Sequence, residues 1–157
     1  MKNIFTKGNT LIEIVVAIAI IVIILYISIP KVFLFKQKQS LKNTTEEVRT
    51  LLNQARSETL ASKNSTFYGV HFESDKAVLF TGSTYTASAS DNIVLDFDSQ
   101  VTLESANIAL NGGGANIVFD RFTGNVSAYG TITLELISDP STQKVISVSR
   151  LGVVSIN

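Results

Sequence analysis

The N-terminal part of the chain is dominated by one long apolar run. Leu11–Ile29 spans nineteen residues, and only Glu13 and Ser28 interrupt it. This length is close to the roughly 20 residues that cross a bilayer as a helix. A chain in lipid must satisfy its backbone hydrogen bonds internally, so the run predicts a membrane-spanning helix rather than a strand.

Helical spacing continues after Pro30. This proline lacks a donor N–H, so we expect it to bend the helix without ending it. One face of the following segment is apolar or small, and the other is charged or amide-bearing. The first face comprises Leu41, Thr44, Val48, Leu51, Leu52 and Ala55; the second comprises Lys42, Glu46, Arg49, Asn53 and Arg56. We therefore predict one helix from about Thr10 to Ser62, whose second half needs a single covering layer.

Alternating apolar and polar residues replace the helical pattern after Asn64 and predict strands. The predicted strands are 66–72, 76–81, 93–97, 101–104, 115–120, 131–137, 144–149 and 153–156. Turn-forming or polar segments separate them at 73–75, 83–92, 111–114 and 138–142. The expected fold class is α+β, with a long N-terminal α-helix packed against a small antiparallel β-sheet globular head.

Charge is balanced overall but not locally. The chain has 13 basic and 13 acidic residues, yet residues 31–63 carry seven basic against three acidic side chains, a net charge of +4. Residues 64–157 carry four basic against nine acidic, a net charge of −5. An acidic head is not typical of a general nucleic-acid binder. The sequence contains no cysteine, which excludes disulfides, thiolate metal sites and a cysteine nucleophile.

Candidate catalytic and metal-binding residues are few. His71 is the only histidine and lies in a predicted strand beside Phe72, where a packing or surface role is favoured. Asp96 and Asp98 share one face of a strand, but a calcium site needs six to eight oxygen ligands in loop geometry. The glycines at 112–114 lack the Lys-Ser/Thr of a phosphate-binding loop. We expect no enzyme activity, no cofactor and no metal site.

The segment Lys7-Gly8-Asn9-Thr10-Leu11-Ile12-Glu13 separates three interpretations of the apolar run. A secretory signal peptide would be followed by a small-x-small cleavage site, which Ile29–Phe33 lacks. A plain signal anchor accounts for the length but for neither Gly8 nor Glu13. A carboxylate near the bilayer centre costs about 2.5–3.5 kcal/mol, so Glu13 calls for a partner.

This segment resembles the leader of the type IV pilin and pseudopilin superfamily, in which a basic leader ends in glycine before T-L-I-E and an apolar helix. Asn9 replaces the usual phenylalanine. The resemblance implies that prepilin peptidase removes the leader 1–8 by cutting between Gly8 and Asn9 and methylates the new amino group of Asn9. Pro30 falls where this superfamily commonly has a helix-kinking proline.

Helical spacing gives Glu13 a role in that setting. It lies four residues after Asn9, on the same helix face. In a bundle of staggered copies, Glu13 of one subunit would meet the α-amine of Asn9 of the next, a pairing favoured over either charge alone. The predicted organisation is leader 1–8, membrane or filament-core helix 9–30, amphipathic helix 31–63 and β-rich head 64–157.

Three segments, one late in the predicted stem helix and two in the predicted head, narrow the resemblance to the GspH/FimT-like minor pseudopilins. They are Ala55–Glu58, Phe119–Gly124 and Ile146–Val154, with Val153 where that group often has arginine. The resemblance implies a structural subunit of a type IV pilus or type II secretion pseudopilus. Its partners would be prepilin peptidase, other pilin or pseudopilin subunits and, before assembly, inner-membrane lipid.

The implied location is a single-pass inner-membrane precursor with an extracytoplasmic head, then a filament at the cell surface or in the periplasm. The lysines after the span outnumber those before it, which by the positive-inside rule alone would leave the head in the cytoplasm. Three alternatives stay open: a major pilin, an adhesive or DNA-binding pilin that uses Lys144 and Arg150, and an anchored β domain unrelated to pili. With so few basic residues, nucleic-acid binding is disfavoured.

Overall fold

One long helix opens the structure. The computed structural model describes the backbone of residues 10–157 and the side chains of 10–26 and 32–157. Helix α1 runs from Leu11 to Leu60, within two residues of the predicted bounds. The chain divides into two compact units, one ending at Lys36 and the other spanning Gln37–Asn157.

The first unit contains the apolar part of α1. Its large hydrophobic side chains are exposed along the described stretch, from Leu11 at 80% to Leu25 at 51%. Among the residues that the structure describes, no helix meets the length and hydropathy needed to span a bilayer. The membrane-spanning role of this segment stays a prediction.

In the second unit, one face of α1 joins the core as the spacing predicted. All six residues of the predicted covered face are buried, with Val48, Leu52 and Ala55 at 0% exposure. The buried hydroxyls of Thr45 and Thr59 donate to the carbonyls one turn back, at 2.6 and 2.8 Å, so neither is left unsatisfied. The helix therefore covers strand side chains with an apolar stripe.

Nine strands follow α1 in the described residues, arranged in two antiparallel sheets. They are β1 Tyr68–Phe72, β2 Lys76–Thr81, β3 Ile93–Asp96, β4 Val101–Thr102, β5 Ile108–Leu110, β6 Asn116–Phe119, β7 Gly130–Leu136, β8 Asp139–Val148 and β9 Val154–Ile156. The first sheet has the order β3-β2-β1-β6. The second has the order β4-β7-β8-β9, with β5 also paired to β7. Short 3-10 turns lie at Lys63–Ser65 and Ser105–Asn107.

The α+β class is confirmed, but the head has two sheets where the sequence predicted one. Strand β5 was missed because it has only three residues and lies beside the glycine run. The predicted loop 138–142 is wrong in part, since a two-residue turn at Ile137-Ser138 leads directly into β8. In the pairing of β7 with β8, Glu135 lies opposite Gln143 but the next residue, Leu136, lies opposite Asp139. Residues 140–142 of β8 therefore form a bulge. The Asp139 carboxylate stabilises this bulge by accepting from Ser141 and Thr142 at 2.6 and 2.7 Å.

Candidate functional site

The residues predicted to drive assembly lie at the start of the chain. Gly8 and Asn9 fall outside the described residues, so cleavage, methylation and the charge pair stay predictions. Glu13 lies in the first turn of α1 with an exposed side chain. A negative charge is favourable there because the first turn of a helix presents unpaired N–H groups. Pro30 lies within the range of α1, and the bend predicted at it stays a prediction.

The three motif segments singled out in the sequence, one in α1 and two in the head, meet in the structure at one place. The guanidinium of Arg56 donates through Nε to the Gly124 carbonyl at 3.4 Å and through Nη2 to the Leu151 carbonyl at 3.3 Å. These partners lie 68 and 95 residues further along the chain. We call Arg56, Gly124 and Leu151 the Arg56 corner. It joins the C-terminal end of α1 to two distant turns.

Tight turns place both carbonyls beside the guanidinium. In the first, the Gly124 amide donates to the Asp120 carbonyl at 2.9 Å. In the second, the Gly152 amide donates to the Ser149 carbonyl at 2.8 Å. Gly152 has φ +71°, and a Cβ on it would collide with the Gly124 carbonyl oxygen. Glycine is therefore required where the two turns touch.

The Arg56 corner is suited to holding structure together and carries no catalytic group. Arginine stays charged at all physiological pH values and offers five donors in a fixed plane, so one side chain can hold two carbonyls. Beside it, Asn53, Ser57, Leu60 and Ala61 line a shallow groove of about 510 Å³. Apolar surface is exposed here too, with Leu60 at 43% and Leu151 at 63% exposure.

A second polar cluster lies on the face of the first sheet that α1 does not cover. His71 stacks on Tyr85 with ring centroids 3.9 Å apart, and its Nδ1 lies 2.6 Å from Oδ1 of Asn116. The Glu73 carboxylate accepts from the Tyr85 hydroxyl at 3.3 Å and from Lys76 at 3.2 Å. We call these five residues the Tyr85 cluster.

The pKa shifts in the Tyr85 cluster follow from its packing. Burial, and then the hydrogen bond to Glu73, raises the pKa of the Tyr85 hydroxyl above its usual 10.0. The hydrogen bond that Lys76 donates to Glu73 raises the pKa of the Lys76 ammonium. The Tyr85 hydroxyl, the Lys76 ammonium and His71 Nδ1 each have a hydrogen-bonding partner within the cluster. These contacts anchor the loop that contains Tyr85 to the first sheet.

Anchoring by Tyr85 corrects the prediction of a simple exposed loop at 83–92. Most of this loop is exposed, but Tyr85 is half-buried and contacts Phe80 edge-on, with ring centroids 5.6 Å apart. It covers the outer side of β2, where Val78 and Phe80 are each 1% exposed. The signal in the sequence was a single aromatic residue in an otherwise small and polar segment.

The acidic residues considered for calcium do not form a site. Asp98 accepts from the Gln100 amide at 2.9 Å, and Asp96 is exposed at the end of β3. Within the described part of the chain, no three His, Cys, Asp or Glu side chains are placed to hold a metal ion.

A comparison with known protein families identifies the family of this chain. The family described as type II transport protein GspH matches residues 44–152, which include all three residues of the Arg56 corner. The chain belongs to the GspH family. A search among curated proteins gave no significant match to this GspH-family chain.

A solved structure has the same fold as this GspH-family chain. The type IV minor pilin FimU of Pseudomonas aeruginosa strain PAO1 superposes with a TM-score of 0.56 at 16% sequence identity. The match covers 74% of this chain and 92% of the FimU chain. At this identity the likeness concerns the fold alone, which is pilin-like.

Family and fold together place this GspH-family chain in the pilin and pseudopilin superfamily, as the sequence predicted. It is a pilin-like protein of the minor pseudopilin or pilin type. The alternative of an anchored β domain unrelated to pili is wrong. Proteins of this family and fold are structural subunits rather than known enzymes.

The two basic residues considered for DNA binding lie in different places. Arg150 lines a groove of about 720 Å³ beside β6, together with Phe67 and Tyr129. Lys144 lines a separate, smaller groove with Lys42. They do not line one basic surface, and nothing in this geometry favours the DNA-binding alternative over a structural role.

Proposed function

We propose that this GspH-family chain is a minor subunit of a type IV filament machine, a type II secretion pseudopilus or a type IV pilus. It is made as a membrane-held precursor and cut by prepilin peptidase between Gly8 and Asn9. One observation carries the proposal: a Gly8-to-Glu13 leader motif precedes an apolar helix in a chain whose residues 44–152 match the GspH family.

The apolar helix supports a passage from lipid to filament. Residues 9–30 hold the precursor in the inner membrane, with the head on the extracytoplasmic side. In the described part of this segment, hydrophobic side chains are exposed on every side of α1. A helix that is apolar all round is stable only when lipid or other helices surround it. After cleavage, bundling with other pilin-like subunits provides those helices.

Glu13 sets the register of that bundle. Cleavage creates an α-amine at Asn9, one helical turn before the carboxylate, and peptidase methylation of Asn9 preserves its positive charge. The carboxylate of one subunit then pairs with the amine of its neighbour. Either charge alone would be costly in an apolar bundle, so the pair forms only when the helices are staggered correctly. Pro30 loosens the helix so that it can follow its neighbours.

Intact-mass measurement of the protein isolated from its host tests the processing step. We expect a mature chain that begins at Asn9, with one added methyl group. A Gly8→Val variant should keep its first eight residues, because the residue before the cut is changed. A wild-type chain that retains residues 1–8 would contradict the proposal.

A Glu13→Ala variant tests the assembly step. We expect normal cleavage but at least a tenfold loss of incorporation into filaments, measured by quantitative immunoblotting of sheared filaments. The matched control is Glu46→Ala, which removes an exposed glutamate on the same helix, 3.0 Å from Arg49. Unchanged incorporation of the Glu13 variant would refute the pairing. Counting copies per filament in the same preparation tests the minor role, since a major pilin would form most of the fibre.

A further inference from the structure

Among the described residues, the first sheet has one edge that no other strand covers. Its order is β3-β2-β1-β6, and the bridge between Phe119 and Val126 covers the outer side of β6. Beyond β3, no further strand lies in the described part of the chain. We call the outer side of β3 the β3 edge.

Strand register shows which backbone groups point outward from β3. The Phe97 amide donates to the Asp75 carbonyl at 2.8 Å, and bonded pairs alternate along an antiparallel ladder. Leu95 therefore bonds inward to β2. The amides and carbonyls of Val94 and Asp96 point outward, and within the described residues they have no hydrogen-bonding partner.

Side chains leave the β3 edge accessible on both faces of the sheet. Ile93 lies on the face that α1 covers and is still 47% exposed, and Val94 lies on the opposite face at 52% exposure. Many natural edge strands are protected from further pairing by lysine, proline or a bulge. β3 has none of these, and an added strand would cover both side chains. The edge is therefore suited to strand addition by a second chain.

Charge indicates which chain fits this edge. Residues 77–120 include no lysine, arginine or histidine, and Asp91, Asp96 and Asp98 lie just before, in and just after β3. A second copy paired through its own β3 would bring the same three aspartates against them, and opposed like charges destabilise a strand pair. A segment that carries lysine or arginine beside apolar residues would complement the edge instead.

Two grooves beside β3 have the same character. A groove of about 340 Å³ lies between Leu95 and α1, where Leu51 and Glu47 contribute to its lining. A second groove, of about 280 Å³, is lined in part by Glu47, Asp96 and Asp98. In the described part of the chain, no basic residue lines either groove. They can therefore take apolar side chains opposite Leu95 and basic side chains toward Asp98.

We propose that the β3 edge binds an extended, basic segment of a neighbouring pilin or pseudopilin subunit as an added antiparallel strand. This inference rests on the proposed function, which supplies neighbouring subunits of other kinds. The backbone of Val94 and Asp96 provides the hydrogen bonds, and the aspartates select a basic segment over a second copy. Because one edge takes one strand, the contact involves a single partner, as a minor subunit requires.

A peptide probe tests the edge in vitro, with the full chain in a mild detergent. The probe is Lys-Thr-Lys-Val-Val-Val-Thr-Lys, which in an antiparallel pair sets its third residue opposite Asp96 and its fifth opposite Val94. One control peptide has glutamate in place of each lysine. A second control keeps every side chain but is N-methylated at the third and fifth residues, which removes the two N–H groups that would face β3. Binding is measured by the fluorescence anisotropy of the labelled peptide.

We expect the basic peptide to bind at least tenfold more tightly than either control. Equal affinity of the N-methylated peptide would overturn the proposal, because attraction between charges would then account for the binding. No binding of the basic peptide would also overturn it. A full chain that is a dimer by light scattering, and a monomer after Val94→Pro, would overturn it as well, since a second copy would then occupy the edge.

Val94→Pro blocks the edge without removing a hydrogen bond within the sheet, because the Val94 amide points outward. Val94→Thr is the matched control, since it keeps this amide and a β-branched side chain. We expect the proline variant to bind the basic peptide at least tenfold more weakly than the threonine variant. Urea midpoints show whether both variants fold, and the comparison of peptides on the unmodified chain does not depend on that result.

The same two variants are compared in host cells, where intact mass and filament incorporation are both measured. We expect at least tenfold less incorporation for Val94→Pro than for Val94→Thr. A processed proline variant that is incorporated as well as the threonine variant would refute the edge contact and leave the proposed function intact. Wild-type chains that retain residues 1–8 would instead refute the proposed function.

Discussion

Replacing Arg56 by alanine removes both hydrogen bonds of the Arg56 corner. Gly124 is buried, and a buried acceptor that loses its donor costs about 1–3 kcal/mol. Leu151 is exposed, so water can replace the guanidinium at its carbonyl. The two bonds are long, at 3.4 and 3.3 Å, which favours the lower half of that range. We expect a loss of about 1–2 kcal/mol in the free energy of unfolding, of which the better helix propensity of alanine offsets about 0.2 kcal/mol.

Urea unfolding of the full chain in a mild detergent measures this loss, followed by the near-ultraviolet circular dichroism of its four tyrosines. For a slope of about 2 kcal/mol per molar, the midpoint should fall by about 0.5–1 M. The matched control is Arg49→Ala, two turns earlier on α1, where a half-exposed ion pair with Glu46 contributes about 0–1 kcal/mol. An Arg56→Met variant keeps the aliphatic stem and should lose almost as much as Arg56→Ala. Equal midpoints for Arg56→Ala and Arg49→Ala would refute the reasoning.

Two further predictions concern the turn at Gly152 and the Tyr85 cluster. Gly152→Ala should destabilise the head by at least about 1 kcal/mol more than Gly113→Ala. The two glycines have nearly the same φ, +71° for Gly152 and +72° for Gly113, but of the two only Gly152 lacks room for a Cβ. Matching urea midpoints for the two variants would contradict this. Because the pKa of the Tyr85 hydroxyl is raised in the folded protein, the neutral hydroxyl stabilises the fold below pH 10.0. This stabilisation is lost as pH rises through the pKa that Tyr85 has in the folded protein. Ultraviolet titration should show a tyrosine that ionises above pH 10.0, and Tyr85→Phe should abolish that step. A Tyr85→Phe variant that keeps the step would refute this reasoning.

Much of the fold was predictable because the patterns involved are local. Helical spacing alone identified the covered face of α1, and each of its six predicted residues is buried. The β1–β2 hairpin was predicted as well, since alternating strands flank a short polar turn closed by the Glu73 amide and the Lys76 carbonyl at 2.9 Å. The motif segments around Arg56, Gly124 and Leu151 were also visible in the sequence, although their meeting was not.

Other features depend on pairing between distant parts of the chain. The segment 139–143 has turn-forming composition, yet β7 supplies the backbone partners that make it a strand with a bulge. Tyr85 lies in a polar loop, and only the fold of β1 and β2 provides the ring of His71 and the carboxylate of Glu73 that hold it.

The sequence by itself determined the leader motif, the apolar helix, the amphipathic continuation of that helix and most strands. Each of these follows from spacing within a few residues, which fixes the face on which a side chain lies. Tertiary structure alone decided that the strands form two sheets, that Arg56 joins two turns, and that β3 is an edge. Sheet order depends on contacts between residues far apart in sequence, and those contacts exist only after the whole head has packed.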